Sequence, residues 1–362
     1  MAVHYPVCVR RVSTRAEFKV FVEFPWQVYR DDPNWVPPMV SAQRAKLDPR
    51  KNPTWDHLEG DYFIAWRGSQ PVGTIAAFLN LRHNAYHHER MGFFGLFEVL
   101  DDPEAANALL DTAAEAVRAR GATALRGPAT FSTNDEVGVL VEGFDTAPVM
   151  VMTYNPPYYP RFLDNAPGFE PIMSLYSYRL TLEQWEASDK LHKLLRVTQR
   201  NNERRGITVR SVTRFHLQRD LNILKEIYND SWDNNWGFVP MSAAELDDMI
   251  AVIRRHIRPE LALIAEVNGQ TAGFVLAFPD INQALLHARP RPGKPELVSR
   301  AQTLWHWRLR SKINRVRIPL MGIRNEYRGI GVEAALFVRM YEEAIQLSQR
   351  TGWKYADAGW VL

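Results

Sequence analysis

Arg324-Asn325-Glu326-Tyr327-Arg328-Gly329-Ile330-Gly331 stands between a strand-like run at 317–323 and an apolar helical pattern that begins near Val332. Glycine at 329 and 331 frees the backbone to aim successive N–H groups at one point, and the start of a helix adds its positive end. Such a turn binds phosphate oxygens without needing a lysine. The helix that follows carries Phe337, Tyr341, Ala344 and Ile345 at helical spacing and meets Gly352, where a C-cap glycine belongs. A last strand is predicted at 354–361.

Reading outward from this turn, the same order of elements occurs twice. Residues 7–12 and 207–213 are short strands, each followed by a helical pattern and then a Trp–Pro cluster around Trp35 or Trp236. Hairpins follow at 62–66 with 72–79, and at 261–267 with 272–278, the second turning on Asn268-Gly269. A further strand (93–100; 317–323), a helix ending at Gly121 or Gly352, and a last strand (123–127; 354–361) complete each copy. Thr181 and Gln184 form a capping box and Gly206 a stop, so 181–206 reads as one connecting helix whose Lys193, Arg196, Arg200, Arg204 and Arg205 make a solvated face. The expected domains are 1–180, the connecting helix 181–206, and 207–362.

Composition narrows the function. The single cysteine, Cys8, excludes a disulfide framework and any Cys-based zinc cage, and His83, His87, His88, His287 and His306 lack metal-ligand spacing, so no metal is expected. No apolar stretch approaches the ~18 to 20 residues of a membrane span, and the N-terminus lacks a signal-peptide core, which points to a cytoplasmic protein. Forty-four basic against 41 acidic residues leave a net charge of +3, too small to imply a polyanion partner unless it is clustered.

The run Arg328-Gly329-Ile330-Gly331-Val332 resembles the pyrophosphate loop of the GNAT (Gcn5-related) acyltransferase superfamily, Arg/Gln-x-x-Gly-x-Gly/Ala, with Glu333 at the usual Gly/Ala place. A carboxylate there competes with phosphate for the N–H groups of the first turn. The chain is also similar to tandem bacterial GNAT proteins through Gly127-Pro128, residues 132–136, Tyr154-Asn155-Pro156-Pro157-Tyr158-Tyr159 and residues 235–240. The resemblance implies an α/β fold with mixed α+β sheets, two GNAT-like acyl-CoA N-acyltransferase domains in tandem. It implies acetyl-CoA or another acyl-CoA as donor, held by Arg328, Gly329, Ile330, Gly331 and Val332 and by strand N–H groups near Met321 and Ile323. An amine then attacks the thioester directly. In the first copy the matching turn contains Glu98, Asp101, Asp102 and Glu104, with Asp102-Pro103 capping its own helix, so no cofactor is expected there.

Such a reaction needs a proton acceptor facing the donor. Asp357 in the last strand is the first candidate, with Asp230 or Glu136 acting through water. Trp232, Asn235, Trp236, Asn134, Tyr154 and Tyr158 are candidates for an acceptor pocket, with core packing the alternative for the aromatic ones. The Trp/Arg-rich stretch 301–312 suits an anionic membrane surface or single-stranded nucleic acid, against a helix covering the acceptor side with its stems packed down. The resemblance implies a small-molecule amine or lipid-like acceptor, and the membrane reading favours the long-chain or lipid one. The alternatives to an acyltransferase are a non-catalytic GNAT-fold binding protein and a nucleic-acid-binding regulator.

The copies are unequal. Residues 128–180 are expected to close the first unit with a helix and a final strand pair, whereas the second ends inside a strand. The second domain is therefore expected to lack its last helix and strand pair, through truncation or because another chain completes its sheet.

Overall fold

The computed structural model describes residues 5–132, 135–233, 235–308 and 313–361. They form two compact units, one of residues 1–173 with Gly237–Val239 and Leu285–Leu304, the other of Ser174–Trp236, Pro240–Ala284 and Trp305–Leu362.

The first unit is built on a five-stranded sheet: β1 (Val7–Arg11), β2 (Leu58–Arg67), β3 (Gln70–Asn80), β4 (Met91–Val99) and β5 (Ala124–Arg126), in that spatial order. Neighbours run antiparallel except β4 and β5, which are parallel over three residue pairs. Helix Pro103–Arg118 buries Leu109, Leu110, Ala113 and Val117 against one face. Helix Arg15–Glu23, opened by a capping box at Thr14 and Glu17, covers the other with Phe21 and Val22.

The second unit repeats this plan. β7 (Ile207–Ser211), β8 (Ala262–Val267), β9 (Gln270–Pro279), β10 (Arg315–Ile323) and β11 (Tyr355–Val361) stand in the same order, again with only the last pair parallel. Asn268 and Gly269 both have positive φ, as a tight hairpin turn requires. Helix Val332–Thr351 buries Val332, Leu336, Met340 and Leu347 on one face of the sheet. Each large side chain so buried contributes roughly 1.5–3 kcal/mol before conformational entropy is subtracted. Helix Leu217–Ser231 buries Leu221, Leu224, Ile227 and Tyr228.

Two expectations are corrected here. The strand expected to help close the first domain, β6 (Tyr176–Thr181), belongs to the second sheet, where it pairs antiparallel with β11 from Tyr355↔Thr181 to Val361↔Tyr176. The outer edge of β11 is thus covered by this same chain, and the domain boundary moves from residue 180 to Ser174. The physical reason lies in the first unit, where the chain after β5 turns back onto β4. Ala129 N–H donates to the Phe94 carbonyl, and a Cβ on Gly95 would meet the Ala129 carbonyl at 1.8 Å, so this edge is already occupied. The connecting helix is also two pieces, Leu182–Glu186 and Asp189–Arg205. Ser188 interrupts it by accepting from Leu191 N and starting a new helix, which ends at Gly206 with φ +64°.

Candidate active site

The glycine turn is held in shape from three sides. Asn325 N–H and side-chain amide both donate to the Asp230 carboxylate at 3.2 Å. The Arg328 guanidinium donates to the Ser231 carbonyl, and Arg324 pairs with Glu226 at 3.3 Å. Asn201 donates its amide to the Ile330 carbonyl at 2.8 Å. Gly329 (φ +72°) and Gly331 (φ +103°) adopt the left-handed backbone that favours glycine. Gly331 is also the N-cap of helix Val332–Thr351 and supplies no side chain, leaving the N–H groups of the first turn without a capping acceptor. Glu333 does not take that role: its Oε2 is buried and makes no hydrogen bond.

Beside the turn the sheet opens. β10 and β11 are paired only from Arg315↔Tyr355 to Ile318↔Ala358, while β10 runs on to Ile323. Arg324 N–H donates to the Ala272 carbonyl on the β9 side. Hydrogen-bonded and non-hydrogen-bonded pairs alternate along an antiparallel ladder, so the N–H groups of Ile323 and Met321 point away from β9, into the opening. Their position in the register is fixed by Ile323↔Gly273 and Met321↔Val275.

The first unit shows what this place looks like when filled. Val99 pairs with Gly73 as Ile323 pairs with Gly273. Its N–H donates to Tyr159 Oη at 2.8 Å, and the same hydroxyl donates to Glu98 Oε2 at 2.8 Å. Burial pushes Glu98 up to about 7, opposed by the hydrogen bonds from Tyr159 and Tyr29. Asp102 accepts from Ala105 N–H as N-cap and pairs with Arg67. The first unit therefore satisfies with its own tyrosine and aspartate the groups that the second leaves open.

The second unit brings Asp230, Trp232, Arg328–Val332 and the ends of β9 and β10 together. The Trp232 ring lies 4.5 Å from Tyr228 and 6.0 Å edge-on to Phe274, and Asn235, exposed, donates its N–H to the Trp232 carbonyl at 2.9 Å. Trp236 is half-buried in the same unit. On the face covered by helix Val332–Thr351 lies an apolar cleft lined by Val316, Ile318, Ala344, Ala356, Trp185 and Trp353 among others.

Other candidates fall elsewhere. Asp357 is engaged: its Oδ1 receives Arg317 Nη1 at 2.8 Å and Ser177 Oγ at 2.6 Å. These contacts tie Asp357 to a guanidinium buried in the sheet. Asp230 is tied to Asn325 and shapes the turn. Glu136 lies in the first unit, 3.8 Å from Lys46. Tyr154 and Tyr158, also in the first unit, donate to Asp32 and to the Val99 carbonyl, each at 2.8 Å. Asn134 lies outside the described residues. Sequence reasoning passed over Arg317, although arginines at 315 and 317 of an apolar strand signal buried acidic partners, which are Asp280 and Asp357. It also passed over the Glu98–Tyr159 pair, for which no local pattern exists. Among the described residues no group of three His, Cys, Asp or Glu is arranged to hold a metal, and no helix is long and apolar enough to cross a membrane.

No protein-family model matches the chain. Protein YghO of Escherichia coli (strain K12) is 29% identical over 360 residues, covering 99% of this chain and 90% of that protein. The bacterial ceramide synthase of Caulobacter vibrioides (strain NA1000 / CB15N) is 31% identical over 356 residues, covering 97% and 89%. Among solved structures, a GCN5-related glucosamine N-acetyltransferase region of a fungal multi-domain GH3 β-N-acetylglucosaminidase superposes with a TM-score of 0.51 at 11% identity, over 100% of this chain and 36% of that one. That likeness shows the fold alone. The chain is thus, on a duplicated GNAT-type fold, a member of the family of the Caulobacter bacterial ceramide synthase.

Proposed function

We propose that this protein is an acyl-CoA-dependent N-acyltransferase whose donor is held by the second unit and whose acceptor is a long-chain, lipid-like amine. The observation that carries this reading is the contrast between the two units: Ile323 keeps open the strand N–H that Val99 gives to Tyr159. The open turn at Arg328–Val332 supplies N–H groups and a helix start for a pyrophosphate. Acyl-CoA would bring the activated thioester; the amine attacks its carbonyl without a covalent enzyme intermediate, the C–S bond breaks as the amide forms, and CoA leaves as its thiol.

The residues of the chain bind, orient and stabilise. The N–H groups of Met321 and Ile323 are donors for the pantetheine and for the carbonyl oxygen as it becomes an oxyanion. The cleft beside the last paired residues of β10 and β11 suits an alkyl chain, since Val316, Ile318 and Ala356 offer it only apolar surface. Asp230, tied to the turn through Asn325, is the candidate for taking the ammonium proton through water. The family relative's name, ceramide synthase, supports a long-chain amino alcohol as acceptor.

Calorimetric titration with CoA and with acyl-CoAs of increasing length, followed by thiol release with long-chain amines, tests the reading. Binding that strengthens with chain length and amine-dependent release are expected. A folded protein that binds none of the thioesters overturns it.

A further inference from the structure

Helix Glu296–Arg308 is turned inside out. Its buried positions are Ser299 (2% exposed) and Thr303 (8%), with Thr303 Oγ1 donating to the Ser299 carbonyl at 2.8 Å. Its exposed positions include Leu297 (79%), Leu304 (49%) and Trp305 (64%). At about 100° per residue, Leu297, Ala301, Leu304, Trp305 and Arg308 share one arc, on the side opposite Ser299 and Thr303. A single exposed leucine needs no explanation, but a row of large apolar side chains along one helix face does. Small polar residues inward and large apolar ones outward is the reverse of the pattern by which a helix covers its own core.

The approach to this helix is pinned rather than loose. Trp26 Nε1 donates to the Pro290 carbonyl at 2.8 Å, Arg289 to the Pro33 carbonyl at 2.8 Å, and Ser41 N–H to Glu296 at 3.1 Å. The same stretch is basic: Arg289, Arg291, Lys294, Arg300 and Arg308 stand against Glu296 alone, in a chain whose whole net charge is +3. Arg300 is paired with Glu296 at 2.6 Å, while Arg289, Arg291 and Arg308 are exposed.

We propose that this helix seats the protein on the surface of an anionic phospholipid bilayer, with Leu297, Leu304 and Trp305 entering the boundary of the acyl chains and the arginines meeting headgroup phosphates. Tryptophan suits that boundary because its ring is apolar and its N–H polar. A second copy of the chain would bring like charges together, and a nucleic acid would leave Leu297 and Leu304 in water. The inference goes beyond the transfer reaction and is independent of it, since binding is read without turnover.

The test is flotation of the full chain with phosphatidylcholine vesicles, with and without phosphatidylglycerol. Binding to the anionic vesicles is expected, weakened about tenfold or more when Leu304→Gln and Trp305→Gln are combined. Arg308→Ala is expected to weaken it about fivefold. These side chains are solvent-exposed, so the melting temperature stays unchanged and folding failure is excluded as an explanation. Absence of flotation by the intact protein, or flotation indifferent to the double variant, overturns the proposal. So does salt-sensitive oligonucleotide binding in place of vesicle binding, or a dimer that the double variant abolishes while vesicles bind neither form.

Discussion

Gly331→Ala attacks the glycine turn at its tightest point. At φ +103° an L-residue costs about 1–2 kcal/mol relative to its preferred regions, and a Cβ there would lie 2.5 Å from Asn201 Nδ2. Asn201 must then move and give up its bond to the Ile330 carbonyl, a further ~1 kcal/mol. If the turn must recover its present shape to bind a pyrophosphate, the sum of roughly 2–3 kcal/mol appears in affinity, as CoA binding weakened about 30- to 150-fold. Isothermal titration with CoA measures it, beside a thermal melt to separate local from global effects. Gly329→Ala is the graded control: φ is +72° but a Cβ there meets nothing within 4 Å, so only the backbone term remains. An Asn201→Ala background supplies the second control, in which Gly331→Ala loses its steric component and the two substitutions couple by about 1 kcal/mol. A Gly331→Ala protein that folds and binds CoA like the wild type would refute the assignment of this turn to the donor.

Asp357→Ala strands the buried Arg317 guanidinium and is expected to destabilise the protein by about 3–5 kcal/mol in a urea titration; a fully stable but inactive variant would instead restore Asp357 as the base. Glu98 holds its proton in the folded state up to about pH 7 whereas an unfolded carboxyl loses it near 4.5, so its contribution is fully present below pH 4.5 and is lost as pH rises to 7. Glu98→Gln should therefore match the wild type at low pH and exceed its stability at pH 8 by on the order of 3 kcal/mol. His83, whose burial lowers it to about 4, contributes the opposite slope in both proteins and cancels in the difference; equal pH profiles would refute the shift. Ala344→Phe fills the cleft under helix Val332–Thr351 and should weaken long-chain acyl-CoA binding at least tenfold, about the worth of two buried methylenes, while sparing acetyl-CoA. Equal losses for both ligands would place the acyl chain elsewhere.

Much of the second unit was legible from residue order because its signals are local. The hairpin turn at Asn268-Gly269, the caps at Gly206 and Gly352, and the strand–turn–helix around Gly329 and Gly331 each depend on a few adjacent residues and their backbone preferences. The duplication was readable for the same reason, since the same local signals recur in the same order. The destination of β6 was not: residues 174–180 read as a strand, but which open edge receives them depends on whether residues 127–131 have already filled the flank of β4. The fate of Asp357 depended likewise on Arg317, forty positions away in sequence and on the adjacent strand.

The sequence by itself determined that there are two sheets of one plan and that a glycine turn opens the long helix of the second. Tertiary structure alone decided that Tyr159 fills in the first unit the opening that the second keeps, that Asp357 pairs with the buried Arg317, and that helix Glu296–Arg308 faces its leucines and tryptophan outward. Each of these outcomes is set by which distant group competes for a strand N–H, a carboxylate or a helix face, and a competition between distant segments leaves no trace in the spacing of neighbouring residues.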